Sequence, residues 1–345
     1  MNSFLPSYND PIFSILLIIL IAIAVALVTH AWGVYRREKL RRSLYSFLDR
    51  FDTTSCSLEE EDVPFEEGMA KPLLLLAKAF EQSGNYAKTI SICLYLIRHT
   101  RDDELLIYLG KVYLRAGFYQ RAEEIFLEII ARHPRRKDVL EQLEYLYESL
   151  QEYAKAREAL EALKAQGVAT EALEGHLRFL ELRGDKSLRP AERAEALEGL
   201  LEENGRLYRP VVQELFRLDT VRAWRRVRPE RLGELIDILW YLPPAQLRLD
   251  IIAATPALQA IYYARGDLED GPEETGGTGF AVEMLCAARR GGYFGGTMSF
   301  AYLCTACKQS FPVSFIRCPS CQALDSLKVE EHLVPSQPQI GDSLL

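Results

Sequence analysis

The sequence predicts a mainly α-helical protein in three parts: an N-terminal transmembrane helix, an α-solenoid of helical hairpins and a small cysteine-bound β ribbon at the C-terminus. Three observations predict it. Residues 11–35 carry no formal charge and are dense in Ile, Leu, Ala and Val. Tyr86, Tyr119 and Tyr153 recur at intervals of 33 and 34 residues within stretches of the same apolar pattern. Two Cys-x-x-Cys pairs, Cys304/Cys307 and Cys318/Cys321, stand ten residues apart near the C-terminus.

The first part follows from bilayer dimensions. Eighteen or more apolar residues in a helix cross the ~30 Å of membrane hydrocarbon. His30 and Trp32 fall where that helix reaches the headgroups, a normal place for amphipathic rings. A cleaved signal peptide is the competing reading, since Ala22-Ile23-Ala24 and Ala24-Val25-Ala26 match its small-residue cleavage pattern. Signal peptides carry positive charge before the apolar run, however. Here residues 1–10 hold no Lys or Arg, and Arg36, Arg37, Lys39, Arg41 and Arg42 follow the run. An uncleaved single-pass anchor is therefore expected over 11–35, with everything after it on the cytoplasmic side. Residues 36–69 read as a juxtamembrane basic stretch, a topology signal that also suits anionic lipid, followed by an acidic linker ending in Glu59-Glu60-Glu61-Asp62-Val63-Pro64.

The second part rests on internal repeats. In the clearest copy Leu106, Leu109, Gly110 and Tyr113 form an L-x2-L-G-x2-Y pattern. Gly117 and Tyr119 sit at its turn, and Ala122, Phe126 and Pro134 follow. These are tetratricopeptide-repeat (TPR) positions. Gly110 and Ala122 are small where two helices cross, and Tyr113, Tyr119 and Phe126 fill the space around them. Copies flank it at Leu73, Leu76, Ala77, Phe80, Gly84 and Tyr86, and at Leu140, Leu143, Tyr147, Tyr153, Ala156 and Leu160. Three repeats are thus expected over 70–170. Residues 171–264 keep helical periodicity at 172–182, 191–203, 211–218, 232–241 and 258–263 without the signature, and read as degenerate helical repeats broken at Pro190, Pro210, Pro229, Pro243, Pro244 and Pro256. A basic stripe around Trp224, residues 222–231, reads as a solvated helix face or as a docking patch for an acidic partner or for headgroups. Residues 265–299 read as a glycine-rich linker with one short helix. Gly276-Gly277-Thr278-Gly279 lacks the Lys-Ser/Thr of a phosphate loop and no expected strand leads into it.

The third part, residues 300–332, reads as a small four-cysteine metal ribbon, with a disordered tail over 333–345. Each Cys-x-x-Cys lets one tight turn present two thiolates to a single ion, so Cys304, Cys307, Cys318 and Cys321 complete a tetrahedral sulfur shell. Phe300, Tyr302, Phe311, Val313 and Phe315 alternate as hairpin strands do and supply the apolar mass. So short a segment cannot build a sufficient core, and metal is expected to supply its folding energy. Lys308 and Arg317 adjoin ligands, where their charge offsets that of the thiolates. Four thiolates suit zinc, with iron as the alternative.

Composition restricts the function. A net charge of −8 and a pI near 5.4 argue against general nucleic-acid affinity. Among seven cysteines, Cys56, Cys93 and Cys286 stand alone; Cys93 falls at a repeat core position and Cys286 in the short apolar helix. A zinc with four protein ligands leaves no open position for substrate. Histidines 30, 99, 133, 176 and 332 are scattered, and no catalytic Cys/His or metalloprotease motif is present, so a binding protein rather than an enzyme is expected. The partner face is expected on the repeats' first helices, at Leu74, Lys78, Ile107, Lys111, Arg115 and Tyr145, which do not form the Lys/Asn clamp of carboxylate-binding repeats.

The layout as a whole resembles the lipopolysaccharide assembly protein B family. The resemblance is architectural over the chain and motif-level in residues 103–136 and in Tyr302-Leu-Cys304-Thr-Ala-Cys307 with Arg317-Cys318-Pro-Ser-Cys321. Lys308 stands where the family usually has glycine, and Leu324 where an aromatic is common. The resemblance implies a rubredoxin-like C-terminal ribbon and a bacterial inner-membrane adaptor that acts with a membrane-bound AAA+ protease on the turnover of the lipid A deacetylase, and so regulates lipopolysaccharide synthesis. The alternatives are a generic TPR scaffold of another membrane complex and an iron-binding electron-transfer module.

Overall fold

The computed structural model describes residues 65–336 apart from 101, 274 and 276. The expected anchor at 11–35, the basic stretch and nearly all of the acidic linker lie outside the described residues. None of the described helices is long and apolar enough to cross a membrane. The chain divides into two compact units, one up to Val139 and one from Leu140 onward.

The first unit holds two helical hairpins: α1 (Ala70–Gln82) with α2 (Tyr86–His99), and α3 (Asp103–Arg115) with α4 (Tyr119–Arg132). Each second helix starts on the periodic tyrosine. Asn85 caps α2 through the Lys88 amide at 3.3 Å, and Asp102 caps α3 through the Glu104 amide at 2.9 Å, satisfying donors that a helix start leaves unpaired. The turns need a left-handed residue, which Gly84 (φ 77°) and Gly117 (φ 81°) supply without a steric penalty. The crossing of α3 and α4 explains the small residue at 110: a Cβ there would lie 2.5 Å from the Phe126 ring, whose side chain is fully buried beside Ala122.

A third hairpin, α5 (Lys137–Ser149) and α6 (Tyr153–Lys164), begins at the boundary and belongs mostly to the second unit. Its turn places Gln151 at φ 60°, where the other two hairpins use glycine. After it come α7 (Glu171–Gly184), α8 (Pro190–Glu203), α9 (Tyr208–Leu218), α10 (Thr220–Arg226), α11 (Ile236–Trp240), α12 (Leu249–Ala254), α13 (Pro256–Arg265) and α14 (Phe280–Arg290). Prolines open α8 and α13, where a missing N–H costs nothing. Pairing is regular to α8 and then shortens. Trp224, 2% exposed, donates its indole N–H to the Gln246 carbonyl at 2.8 Å and meets Phe216 edge-on.

The sheet is antiparallel, ordered β2-β1-β3, with β1 Gly296–Cys304, β2 Ser310–Phe311 and β3 Leu327–Pro335. β1 pairs with β3 along its whole length, from Gly296 opposite Pro335 to Cys304 opposite Leu327. Three expectations are corrected here. Residues 265–299 are not a free linker: α14 buries Ala281, Val282, Leu285 and Cys286, and Arg289 donates to the Ala264 carbonyl at 2.7 Å and the Arg265 carbonyl at 2.9 Å. Residues 333–335 belong to β3, not to a tail. Nor does the ribbon lack a core. Met298 is buried in one continuous cluster with α8–α14, and Phe300, Ile316 and Val329 pack against it. The apolar face of the sheet is therefore an extension of the helical core.

Candidate metal centre

The four cysteines of the two knuckles are brought together, with all four Sγ atoms within 4.8 Å of one another. Cys304 and Cys321 are 3.7 Å apart, as are Cys307 and Cys318. A tetrahedral ion with metal–sulfur bonds of ~2.3 Å requires sulfur–sulfur separations of ~3.8 Å, so the donor set fits such an ion.

The two knuckles are built alike. Lys308 N–H donates to the Cys304 carbonyl at 2.8 Å, and Gln322 N–H donates to the Cys318 carbonyl at 2.9 Å. Lys308 and Gln322 both have φ 62°, a left-handed backbone that favours glycine. Cys304 N–H donates to the Gln309 carbonyl and Cys318 N–H to the Ala323 carbonyl, each at 2.9 Å. The Cys307 amide points at Cys304 Sγ, 3.5 Å away, and the Ser326 hydroxyl lies 3.3 Å from the same sulfur. Burial pushes the Cys318 thiol up to about 12 and raises Cys321 as well. At Cys304 burial acts the same way, but the Cys307 amide and Ser326 outweigh it and the thiol falls to about 6. Cys304 therefore ionises more readily than Cys318 and Cys321.

The second knuckle also holds the ribbon to the third repeat. Arg317, expected to offset thiolate charge, instead turns its guanidinium to α5. There it pairs with Glu144 Oε2 at 2.8 Å and with Glu148, and lies 4.8 Å from the centre of the Tyr145 ring. Gln322, on the other side of the knuckle, hydrogen-bonds the Gln142 amide at 3.1 Å. His176 Nε2 meets Glu148 at 3.1 Å, completing a buried cluster of two acids, an arginine and a histidine. Burial drives the Glu144 carboxyl up despite Arg317. Glu148 is also pushed up by burial, but His176 and Arg317 together hold it below the usual carboxylate range. A second polar contact is made from β1, two residues before Cys304. Asp237, 4% exposed, accepts two bonds of 2.7 Å from Arg209 and one of 2.8 Å from the Tyr302 hydroxyl.

The expected partner-face residues differ in exposure. Leu74 and Lys111 are half-buried, Lys78 is exposed, and exposed Arg115 pairs with Glu81. Ile107, 3% exposed, is part of the core and offers no surface to a partner. Tyr145, in the second unit, is half-buried beneath Arg317. The basic stripe at 222–231 is largely neutralised from within. Arg222 and Arg226 bind Glu198 at 2.7 and 2.8 Å, and Arg231 binds Glu234 while stacking on Tyr208. Cys93 is fully buried at its repeat core position, where burial pushes the thiol up to about 12. Sequence reasoning missed Gln142, Glu144, Glu148 and His176. The available signal was Glu144 and Glu148 one turn apart on a first helix.

No family model matches this chain, and no curated protein matches it either. Among solved structures it is similar to one described as "MamA RS-1 ArsTM double mutant", at 20% identity over 46% of this chain and 89% of that one, with a TM-score of 0.35. A likeness of that size carries no argument, and the reading of helical repeats followed by a four-cysteine ribbon rests on this chain's own helices and sulfur geometry.

Proposed function

We propose that this protein is a membrane-anchored TPR adaptor whose C-terminal ribbon binds structural zinc, and that it regulates lipopolysaccharide synthesis at the bacterial inner membrane. In this reading it works with a membrane-bound AAA+ protease to promote proteolysis of the lipid A deacetylase. The observation that carries it is the joining of ribbon to repeat: Arg317 and Gln322, immediately beside ligands Cys318 and Cys321, both reach α5. Repeats offer extended protein-binding surface. A ribbon with four protein ligands and no open metal position serves as a fixed contact surface rather than as a reaction centre. The uncharged 11–35 segment supports an anchor, which raises the effective concentration of any partner held at the same membrane. The named partners come from the resemblance of the knuckles and the layout to the lipopolysaccharide assembly protein B family.

The test is the deacetylase half-life in cells depleted of this protein. Slower degradation, restored by the full chain but not by a version starting at Leu44 or by Cys318→Ser, is the expected result. An unchanged half-life on depletion would leave a scaffold for some other membrane complex.

A further inference from the structure

Between α7, α9 and the sheet lies a groove of about 860 Å³, a volume in the ordinary range of ~300–1,000 Å³ for a ligand site. It lies wholly within the second unit and is separate from the cysteine cluster and from the first helices of the repeats. Phe179 and Pro210 form its helical wall; Val313, Phe315 and Ile316 form the ribbon wall. Val313 is 70% exposed, an unusual position for a valine with an apolar groove beside it.

The charges around this groove do not cancel. Arg209 is held by Asp237, Arg231 by Glu234 at 2.6 Å, and Arg217 by Glu214 at 3.4 Å. Arg183, Arg206 and Lys328 are exposed, and among the described residues none of them makes an ion pair. The remaining acids are Asp325, whose carboxyl burial raises against the pull of Arg206, and Glu331, so the lining holds six cations against four acids. The cations stand on three separate elements: the end of α7, the turn after α8, and β3. Cations on three elements suit the carboxylates of an extended chain, and the apolar walls suit interleaved apolar side chains.

We infer that this groove binds a peptide segment of a partner protein in which acidic and apolar residues alternate, with Arg183, Arg206 and Lys328 pairing the acids and Val313 and Phe315 covering the apolar side chains. The inference is independent of which partner the repeats engage.

The test uses the full chain in detergent micelles and a short fluorescein-labelled peptide of alternating aspartate and leucine, followed by fluorescence anisotropy. Lysine–leucine and aspartate–serine peptides of equal length are the comparisons. Arg206→Glu with Lys328→Glu is expected to weaken aspartate–leucine binding at least about tenfold, while Arg225→Glu, exposed but outside the groove, leaves it unchanged. Val313→Asp, on a side chain whose exposure makes loss of folding no concern, is expected to weaken binding too. Equal binding by native chain and groove variants overturns the inference. So does equal binding of the aspartate–serine peptide, which would make the site a nonspecific anion surface. Two further results count against it: loss in the groove variants only of binding to anionic-lipid vesicles, which would assign the groove to headgroups, or only of self-association in sedimentation, which would assign it to a second copy.

Discussion

Replacing Arg317 with methionine isolates the contact between ribbon and repeat. Its side chain is 10% exposed, and its partners Glu144 and Glu148 are 0% and 11% exposed. Methionine keeps much of the aliphatic stem but removes the cation paired with Glu144, whose Oε1 already has no partner among the described residues. Glu148 keeps His176. Breaking a buried pair from one side costs about 3–5 kcal/mol, because an uncompensated charge stays inside. For a unit of this size that corresponds to a melting shift of roughly 6–20 °C. Thermal unfolding of the full chain by circular dichroism measures it. The double variant Arg317→Met/Glu144→Gln is expected to recover a large part of the loss, since the orphaned charge is gone. A shift of Arg317→Met within the scatter of ordinary surface substitutions, about 0.5 kcal/mol, would refute the clamp.

Other expectations follow from single positions. Gly110→Ala forces a methyl group against the Phe126 ring, where a Cβ would stand 2.5 Å away, and is expected to destabilise the first unit by about 1–3 kcal/mol in chemical unfolding. Gln151→Gly relieves the φ 60° backbone at the third turn and is expected to stabilise by about 0.5–1 kcal/mol, read as a raised denaturation midpoint. Burial pushes Glu198 up, but its bonds to Arg226 and Arg222 outweigh this and hold the carboxyl below its ordinary 4.5. Its stabilising contribution is therefore complete above pH 4.5 and lost as pH falls through the lower folded value. Glu198→Gln should flatten that part of the stability–pH curve.

What the sequence made legible was local and periodic. The tyrosine spacing found the start of the second helix in the first three hairpins, because a repeat writes its register into the chain at fixed intervals. Gly110, Ala122 and Phe126 announced a close crossing, and the cysteine spacing announced the sulfur cluster. What escaped depends on pairs far apart in sequence. Nothing near Asp237 signals Tyr302, and nothing near Glu144 signals Arg317. The glycines of 265–299 suggested a linker because composition cannot show that α14 lies against α13 and the sheet. The ribbon's packing on the helices is hidden for the same reason. A segment too small for its own core borrows one from the helices, and that packing has no signature within residues 300–332.

The coupling of the metal knuckles to the repeat is tested most directly by hydrogen–deuterium exchange on the full chain before and after removal of the bound metal with a chelator. Elemental analysis of the same sample should give one zinc per chain. On metal removal, exchange is expected to rise in the ribbon and also in α5 around Gln142, Glu144 and Glu148, because Arg317 and Gln322 lose their fixed positions beside Cys318 and Cys321. A ribbon that loosens while α5 stays fully protected, or a chain that binds no metal at all, would contradict it.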